Sequence, residues 1–296
     1  MKSPFGVMLT AMITPFEPDG GQDLDGAQRL ASHLVDNLGH EGLVINGTTG
    51  EAATKTDAED LALLQAVVEA VGDRATVIAG VGTNDTAHSI SSAKAAQKAG
   101  VHALMASAPY YNRPPQQGIF EHFWAIADST ELPLMTYDIP RRTGVAIETE
   151  TLVRLAEHPR IIANKDAKGD LEASQWVMAR TDLAWYSGED SLNLALLALG
   201  AGGMVSVVGH LVGDRLAKMA ELFWNGDVEA ARAINESLLP VYTGVFRAQG
   251  VILIKAALNL QGLPSGPVRL PLVNATPSEI AQLRTDLAAG GVVPFA

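Results

Sequence analysis

The sequence predicts an α/β fold in which eight parallel strands and their helices close into a (β/α)8 barrel, a TIM barrel, with a C-terminal helical appendage. Short, continuously apolar segments alternate with longer segments of helical periodicity, which is the pattern of a parallel sheet covered by helices. Eight such strand–helix units fit into the first 225 or so of the 296 residues. That number indicates a barrel rather than a doubly wound sheet.

The strand segments follow one another at regular intervals along the chain. They are residues 7–15, 42–51, 75–82, 102–111, 132–140, 161–170, 183–190 and 202–209. The helix boundaries between them have recognisable signals. Thr56 and Glu59 form a capping-box pattern, and Gly100 is typical of a helix end. The segment GVGTND lacks the third glycine of a dinucleotide-binding turn and follows the third strand, so it is weak evidence for a doubly wound sheet.

The last part of the chain contains no strand signal. Three segments there have helical periodicity, namely residues 227–248, 250–262 and 276–290. The last of them starts at Thr276-Pro277 and ends at Gly290, as helix boundary preferences require. We therefore assign residues 1–225 to a catalytic barrel and residues 226–296 to a three-helix extension.

The composition excludes several classes of protein. Hydrophobic residues make up 47% of the chain and charged residues 18%, which excludes a disordered protein. The net charge of −12 argues against nucleic acid or an anionic membrane surface as the main partner. The absence of cysteine excludes disulfides, thiolate metal sites and cysteine nucleophiles.

The N-terminal apolar segment is interpreted as the first strand and not as a signal peptide. It is short, it is interrupted by Pro4, Thr10 and Thr14, and no cleavage region follows. No apolar run reaches the ~18 residues that a membrane span requires. We expect a cytoplasmic protein.

Polar residues gather at the ends of the predicted strands, where barrel enzymes place their active sites. They are Thr48, Thr49, Tyr110, Tyr111, Tyr137, Arg141, Arg142, Lys165, Gly188, Glu189 and Asp190. Converging on one barrel mouth, these groups could bind a small carboxylate next to an amine.

Lys165 ends the apolar strand IIANK, and strand alternation places it on the same side as Ala163. If that side faces the barrel interior, burial lowers the pKa of the amine and raises its neutral fraction at pH 7. A neutral amine next to a keto acid forms a Schiff base. The alternative is that Lys165 forms an ion pair with Asp166 or Glu189. The spacing of these residues alone favours neither the Schiff base nor the ion pair.

Two further polar residues interrupt apolar runs. Alternation places Asn164, with Ile162, toward the helix layer, where an unpaired amide would cost roughly 1–3 kcal/mol. We therefore predict a hydrogen-bond partner for Asn164. Lys255 lies within VILIKAALNL, which continues as a helix would, so we expect its long side chain to reach the surface.

Other chemistries have little support in the sequence. The seven histidines show no two-ligand spacing, so we expect no metal site. Neither a GxSxG elbow nor a Walker A motif occurs.

Five motifs together identify a family. GTTGE, PYYNRPPQQG, YDIPRRTG, KDAKGD and SGED occur in an order and spacing that resembles the dihydrodipicolinate synthases, within the class I pyruvate-dependent lyases and aldolases. The resemblance extends from TAMITPF near the start to RLPL near residue 270. It implies condensation of pyruvate with L-aspartate 4-semialdehyde to 4-hydroxy-tetrahydrodipicolinate, on the route to diaminopimelate and lysine. It also implies a homotetramer built as a dimer of dimers, and no cofactor besides the Schiff base with the substrate.

The resemblance also implies roles for particular residues. Lys165 matches the Schiff-base lysine, and Tyr137 matches the tyrosine beside it that transfers protons. Thr48 matches the threonine that links Tyr137 to a second tyrosine. That second tyrosine, Tyr111, would reach across a tight dimer interface into the site of the partner subunit.

Four more positions match the substrate-binding residues of the family. Thr49 would hold the pyruvate carboxylate, and the backbone at Gly188 and Val205 would line the pocket. Arg142, which directly precedes a Thr-Gly dipeptide, matches the arginine that binds the carboxylate of the aldehyde, whereas the preceding Arg141 does not.

Two alternatives to this activity follow from the same residues. Lyases for N-acetylneuraminate or 2-keto-3-deoxy sugar acids are similar in the GTTGE motif and the lysine but generally lack the arginine at position 142. A non-catalytic keto-acid-binding relative would be expected to lose Lys165, Tyr137 or Thr48, and all three are present.

Feedback inhibition by L-lysine is predicted to be weak or absent. Lysine-inhibited relatives carry histidine and glutamate side chains in an allosteric pocket. The matching stretches of this chain have Asp57 and His88 instead.

Overall fold

A computed structural model describes residues 3–293 of the chain. Eight strands form one closed parallel barrel in chain order. They are β1 (Met8–Ala11), β2 (Gly42–Ile45), β3 (Thr76–Gly80), β4 (Ala103–Ser107), β5 (Leu134–Asp138), β6 (Ile161–Asp166), β7 (Ala184–Ser187) and β8 (Gly203–Ser206). Parallel pairing of β1 with both β2 and β8 closes the sheet. The predicted fold class is confirmed.

Helices connect successive strands and continue beyond the last one. Up to β8 they are α1 (Leu24–Ser32), α2 (Asp57–Val71), α3 (Thr86–Lys98), α4 (Gln116–Asp128), α5 (Pro140–Thr143), α6 (Thr149–Leu155), α7 (Leu171–Met178) and α8 (Asn193–Leu199). After β8 they are α9 (Gly209–Trp224), α10 (Val228–Val245), α11 (Gly250–Leu260) and α12 (Pro277–Ala289). Short π- or 3-10-helical turns cover His33–Asn37, Ala52–Thr54 and Asp190–Leu192.

The predicted capping signals start two of these helices. At α2, the Glu59 backbone N–H donates to Thr56 Oγ1 and the Thr56 N–H donates to Glu59 Oε2, at 3.3 and 2.8 Å. Thr276 and Glu279 form the same reciprocal pair at α12, with distances of 3.3 and 2.7 Å. Each pair satisfies two N–H groups that a helix start leaves free.

The barrel interior is filled by the inward-facing side chains of the strands. This interior cluster includes Leu9, Val44, Ile78, Met105, Met135, Tyr137, Ala163, Tyr186 and Val205. A second, larger cluster packs the outer side of the strands against the helices. Ala163 belongs to the interior cluster, so the prediction that the Lys165 side of β6 faces inward is confirmed.

A register shift between β5 and β6 changes the alternation at the start of β6. Leu134 pairs with Ile161, whereas the next residue, Met135, pairs with Ala163, so Ile162 is an extra residue in its strand. Ile162 contacts the interior cluster, and its predicted position in the helix layer is therefore wrong.

Asn164 lies on the helix side of the sheet, as predicted, and is fully buried. Its Oδ1 accepts a hydrogen bond from Thr136 Oγ1 at 2.8 Å. Its Nδ2, however, has no hydrogen-bond partner among residues 3–293. The prediction of a partner is right for the amide oxygen and wrong for the amide nitrogen, because Thr136 Oγ1 approaches the oxygen and no acceptor among residues 3–293 reaches the nitrogen.

The C-terminal helices pack against the barrel's outer layer and against one another. Helix α10 contacts α9 and α12, and α11 contacts α9, α10 and α12. Among the described residues no single helix is long and apolar enough to cross a membrane; α10 and α11 reach that length together but meet at 108°. The three predicted helices are therefore present, while the domain division at residue 225 stays a prediction.

Lys255 in α11 does not reach the surface. Its side chain is 2% exposed, and its ammonium lies 2.6 Å from Glu51 Oε1. The snorkelling expected from the sequence is wrong because the side chain meets a buried carboxylate from the β2–α2 connection, far away in the sequence.

Candidate active site

Lys165 lies at the end of β6 with its side chain in the barrel mouth, 5% exposed. Burial lowers the pKa of its amine to about 8. None of the ion pairs among residues 3–293 includes this amine. Asp166 Oδ2 instead accepts hydrogen bonds from Ser174 Oγ and Trp185 Nε1, and Glu189 is paired with Arg141. The structure therefore does not contain the ion pair that the sequence left open.

Tyr137 lies directly beside the lysine on the neighbouring strand. The two residues pair across β5 and β6, and Lys165 Nζ is 4.2 Å from the centroid of the Tyr137 ring. Burial raises the pKa of the phenol to about 12, and the nearby Thr48 side chain partly opposes this rise. At neutral pH the phenol is therefore protonated and can donate a proton at the lysine.

The turn after β2 brings two threonines to the same mouth. Thr48 is exposed, while Thr49 is 8% exposed and packed into the turn. The Glu51 backbone N–H donates to Thr48 O at 3.2 Å and closes the turn. Both Glu51 and Asn46 have positive φ, at 55° and 59°. These left-handed residues give the turn its tight shape.

Tyr111 does not join this cluster within the single chain. Its side chain is 88% exposed, and its φ of 71° lies in the left-handed region. The structure thus brings Lys165, Tyr137 and Thr48 together and leaves Tyr111 outside. The predicted role of Tyr111 in the site of a partner subunit stays a prediction.

The two arginines of the YDIPRRTG motif lie on the short helix α5, immediately after β5. Arg141 is paired with Glu189 on the opposite side of the mouth. Arg142 forms no ion pair among residues 3–293, and its positive charge lowers the pKa of both Tyr137 and Lys165. A guanidinium that faces the lysine without a carboxylate partner is well suited to bind the carboxylate of a substrate.

Gly188 and Val205 form the wall of the mouth next to Lys165. A Cβ atom on Gly188 would lie 2.9 Å from Cγ and Cε of Lys165 and 3.0 Å from the backbone oxygen of Asp166. Only glycine leaves room for the lysine side chain there. Val205 is 1% exposed and belongs to the interior cluster with Tyr137.

Asp190 has a role that the sequence did not indicate. Its buried carboxylate connects the turn after β7 to the end of β8. Oδ2 accepts hydrogen bonds from the backbone N–H groups of Val207 and Val208, both at 3.0 Å, and Oδ1 accepts one from Ser206 Oγ. Its charge raises the pKa of Lys165, partly opposing the effect of burial. The only sequence signal is a carboxylate two residues after the glycine that ends a strand.

Two other features noted in the sequence can be placed in the structure. His88 Nε2 and Asp57 Oδ1 are 2.9 Å apart on the surface, so the stretch predicted to weaken lysine feedback forms its own polar pair. No group of three or more His, Asp or Glu side chains in residues 3–293 is arranged to hold a metal ion.

Comparison with known proteins shows the family to which the chain belongs. Residues 4–289 match the model of the Dihydrodipicolinate synthetase family. A 4-hydroxy-tetrahydrodipicolinate synthase 2 from Streptomyces coelicolor is 63% identical over 98% of this chain and 97% of its own. A 4-hydroxy-tetrahydrodipicolinate synthase from Acidothermus cellulolyticus is 61% identical over 99% of this chain and 95% of its own.

Solved structures show the same architecture. A DHDPS from Cyanidioschyzon merolae, crystallised with lysine bound, superposes with a TM-score of 0.96 at 42% identity, covering 99% of this chain and 100% of that one. A dihydrodipicolinate synthase from Acinetobacter baumannii, crystallised with pyruvate, superposes with a TM-score of 0.94 at 33% identity, covering 98% and 100%.

Proposed function

We propose a mechanism for this chain from the premise that it belongs to the dihydrodipicolinate synthetase family and catalyses the 4-hydroxy-tetrahydrodipicolinate synthase reaction. That reaction joins pyruvate and L-aspartate 4-semialdehyde and releases one water. The observation that carries the mechanism is the buried Lys165 amine, without an ionic partner in the described residues and with the Tyr137 ring 4.2 Å away.

The first step is formation of a Schiff base. The neutral Lys165 amine attacks the keto carbon of pyruvate, and the carbinolamine loses water to give an iminium ion. Tyr137 donates the proton that the departing oxygen needs, because burial keeps its phenol protonated. Thr49 and the turn around it bind the pyruvate carboxylate. Loss of a methyl proton then gives an enamine, since the iminium nitrogen accepts the electron pair.

The second step joins the two substrates. The enamine carbon attacks the aldehyde carbon of L-aspartate 4-semialdehyde, and a new hydroxyl forms there. Arg142 binds the carboxylate of this substrate with a bidentate guanidinium. The substrate amine then attacks the iminium carbon and releases Lys165, which closes the ring. The iminium ion is the only electron sink that these steps use, so the mechanism involves no cofactor.

Proton transfer continues from Tyr137 through Thr48 to Tyr111 of a second subunit. Two phenols and a hydroxyl can pass protons without a fixed charge in the site. A homotetramer containing tight dimers supplies the second tyrosine. A cytoplasmic location belongs to the same proposal, because the reaction uses pyruvate from central metabolism.

Reductive trapping tests the mechanism directly. We expect incubation with pyruvate and borohydride to attach one 1-carboxyethyl group per chain, on the nitrogen of Lys165, because hydride reduces the iminium carbon after water has left. Lys255 is an internal control, because burial lowers its pKa to about 8 as well while its amine is held by Glu51. An adduct on Lys255 or on any lysine other than Lys165, or no adduct, would refute the mechanism.

A further inference from the structure

A buried ion pair joins the C-terminal helices to the turn that carries Thr48 and Thr49. Lys255 Nζ lies 2.6 Å from Glu51 Oε1, and the two side chains are 2% and 1% exposed. The same ammonium donates to the backbone oxygen of Pro267 at 2.7 Å. Glu51 Oε2 accepts a hydrogen bond from the Arg269 backbone N–H at 2.8 Å. The carboxylate thus binds two separate segments of the C-terminal extension.

Glu51 is also part of the turn itself. Its N–H donates to Thr48 O at 3.2 Å, and the adjoining Gly50 O accepts a hydrogen bond from Thr14 Oγ1 at 2.6 Å. A left-handed conformation at a non-glycine residue is strained and persists only where surrounding contacts enforce it. At Glu51 the contacts that enforce it come from its carboxylate.

The segment around residue 267 is fixed just as firmly. Gly266 has a φ of +65°, and a Cβ atom there would lie 1.7 Å from the backbone oxygen of Phe16. The Phe16 ring is contacted by two cations, with Lys255 Nζ at 4.2 Å and Arg269 Cζ at 4.3 Å from its centroid. The guanidinium of Arg269 also donates to the backbone oxygen of Thr54, at the far end of the turn.

Stability alone does not account for a charged pair at this place. Removing two ions from water costs several kcal/mol each, and apolar residues of similar volume are often as stable or more stable in such positions. What an ion pair adds is a defined geometry between its two partners. Here the defined geometry is that of the turn next to the Schiff-base lysine.

We propose that Glu51 and Lys255 are positioning residues for the pyruvate carboxylate subsite, holding Thr48 and Thr49 in place from the C-terminal helices. This inference rests on the proposed function, in which the turn binds pyruvate. The extension after the barrel is therefore part of the substrate site, although none of its residues touches the substrate.

The variant Lys255→Met tests the proposal, with Arg247→Met as its matched control. Arg247 also forms an ion pair within the C-terminal extension, with Asp286 at 2.6 Å, but it does not contact the turn. We expect Lys255→Met to raise the KM for pyruvate at least tenfold. The KM for L-aspartate 4-semialdehyde should change less than threefold, because Arg142 lies on α5, away from the pair. Arg247→Met should leave both constants within twofold of wild type.

The comparison is made well below the melting temperature of each variant. A merely structural pair would lower the melting temperature of Lys255→Met and leave its pyruvate KM within twofold of wild type, and this outcome would overturn the proposal. An equal rise in both Michaelis constants would overturn it too. If Lys255→Met does not fold, the variant Glu51→Gln replaces it. We then expect the KM for pyruvate to rise at least threefold while the KM for L-aspartate 4-semialdehyde stays the same. An unchanged KM for pyruvate would contradict the positioning role.

Reductive trapping separates this proposal from the mechanism on which it rests. Wild type and Arg247→Met should both be trapped by pyruvate at Lys165. If wild type is not trapped, the Schiff-base mechanism fails. If wild type is trapped and Lys255→Met is trapped at the same rate at subsaturating pyruvate, only the positioning role fails.

Discussion

Lys165 and Lys255 are both buried, and burial lowers the pKa of each amine to about 8. Their surroundings differ in one respect that decides their chemistry. Each amine lies 4.2 Å from the centroid of an aromatic ring, but Lys255 is held by a carboxylate and a backbone oxygen, whereas Lys165 forms no ion pair among residues 3–293. Desolvation makes an amine nucleophilic only where no carboxylate holds the nitrogen in its protonated, hydrogen-bonded form. Lys165 is the lysine that meets this condition.

The lowered pKa of Lys165 predicts the pH dependence of the reaction with pyruvate. The reactive form is the neutral amine, so protonation below the pKa removes activity. At pH 7 about one tenth of the amine is neutral, against about 1 in 3,000 for an ordinary lysine. We expect kcat/KM for pyruvate to rise about tenfold per pH unit toward pH 8 and then to level off. Steady-state kinetics between pH 6 and 10 measure this, and a rise that continues unchanged to pH 10 would contradict the lowered pKa.

Strand ends and the turns after them place the reactive groups. Each of β2, β5, β6, β7 and β8 contributes at least one side chain or backbone segment at the same end of the barrel, as parallel strands require. The contributing connections differ in how they are held. The turn after β2 is fixed by Glu51, and the start of the connection after β8 is fixed by Asp190. Buried carboxylates that bind backbone N–H groups thus stabilise two of the loops that form the site.

Gly188→Ala tests how tightly the end of β7 packs against Lys165. The new methyl group would meet the lysine side chain at 2.9 Å and the backbone of β6 at 3.0 Å, so the lysine must move. We expect the rate of trapping by pyruvate to fall at least tenfold and the free energy of unfolding to fall by about 1–3 kcal/mol.

Gly118→Ala is the matched control for that substitution. Gly118 lies in α4, and a methyl group added there would have a Pro114 side-chain carbon at 3.4 Å as its nearest neighbour. We expect an unchanged trapping rate and a free energy of unfolding higher by about 0.5–1 kcal/mol, because alanine restricts the unfolded chain. Trapping at the wild-type rate in Gly188→Ala would show that the lysine is not confined by this strand.

At the scale of the whole molecule, the single chain contains most of the site but not all of the proposed proton path. The Tyr111 side chain is 88% exposed in the single chain and does not contribute to its own barrel mouth. A symmetric dimer lets each subunit supply the same residue to the other, because its interface is formed by one surface used twice. The C-terminal extension contributes in a different way, by holding the turn after β2 within the same chain.

Mixed dimers test whether Tyr111 acts in the partner's site. We expect Tyr111→Phe and Lys165→Ala each to be nearly inactive, and their co-expressed mixture to recover about a quarter of wild-type activity. Half of the dimers are then mixed, and one of the two sites in each has both Lys165 and the partner's Tyr111. Activity of the co-expressed mixture measures this, and purified, differently tagged heterodimers should reach about half of wild-type activity.

The control mixture combines Lys165→Ala with Tyr137→Phe. Lys165 and Tyr137 of one site come from the same chain. Each site of the mixed dimer therefore lacks one of the two residues, and we expect no recovery of activity. Failure of the Tyr111 mixture to recover activity would show that Tyr111 does not serve the partner subunit.

The barrel and most of the residues at its mouth follow from local patterns in the sequence. Eight apolar segments of strand length, separated by segments of helical periodicity, are compatible with few other folds. In a parallel barrel the carboxyl ends of all strands lie at the same mouth, so the residues that follow them come together there. Alternation along β6 was sufficient to orient Lys165 and Asn164, because side chains of a regular strand alternate between two faces. It failed at Ile162, where an extra residue enters the strand pair, since a bulge depends on the register of a neighbouring strand.

Which charges meet inside the protein depends on how distant elements pack together. Lys255 and Glu51 are about 200 residues apart in the sequence, and neither has a local signal that predicts its partner. The same holds for Asn164, whose oxygen is paired and whose nitrogen is not, and for Asp190, which binds the backbone after β8. Local patterns record the period and the boundaries of an element, whereas the partner of a buried polar group is set by the packing of elements that are distant along the chain.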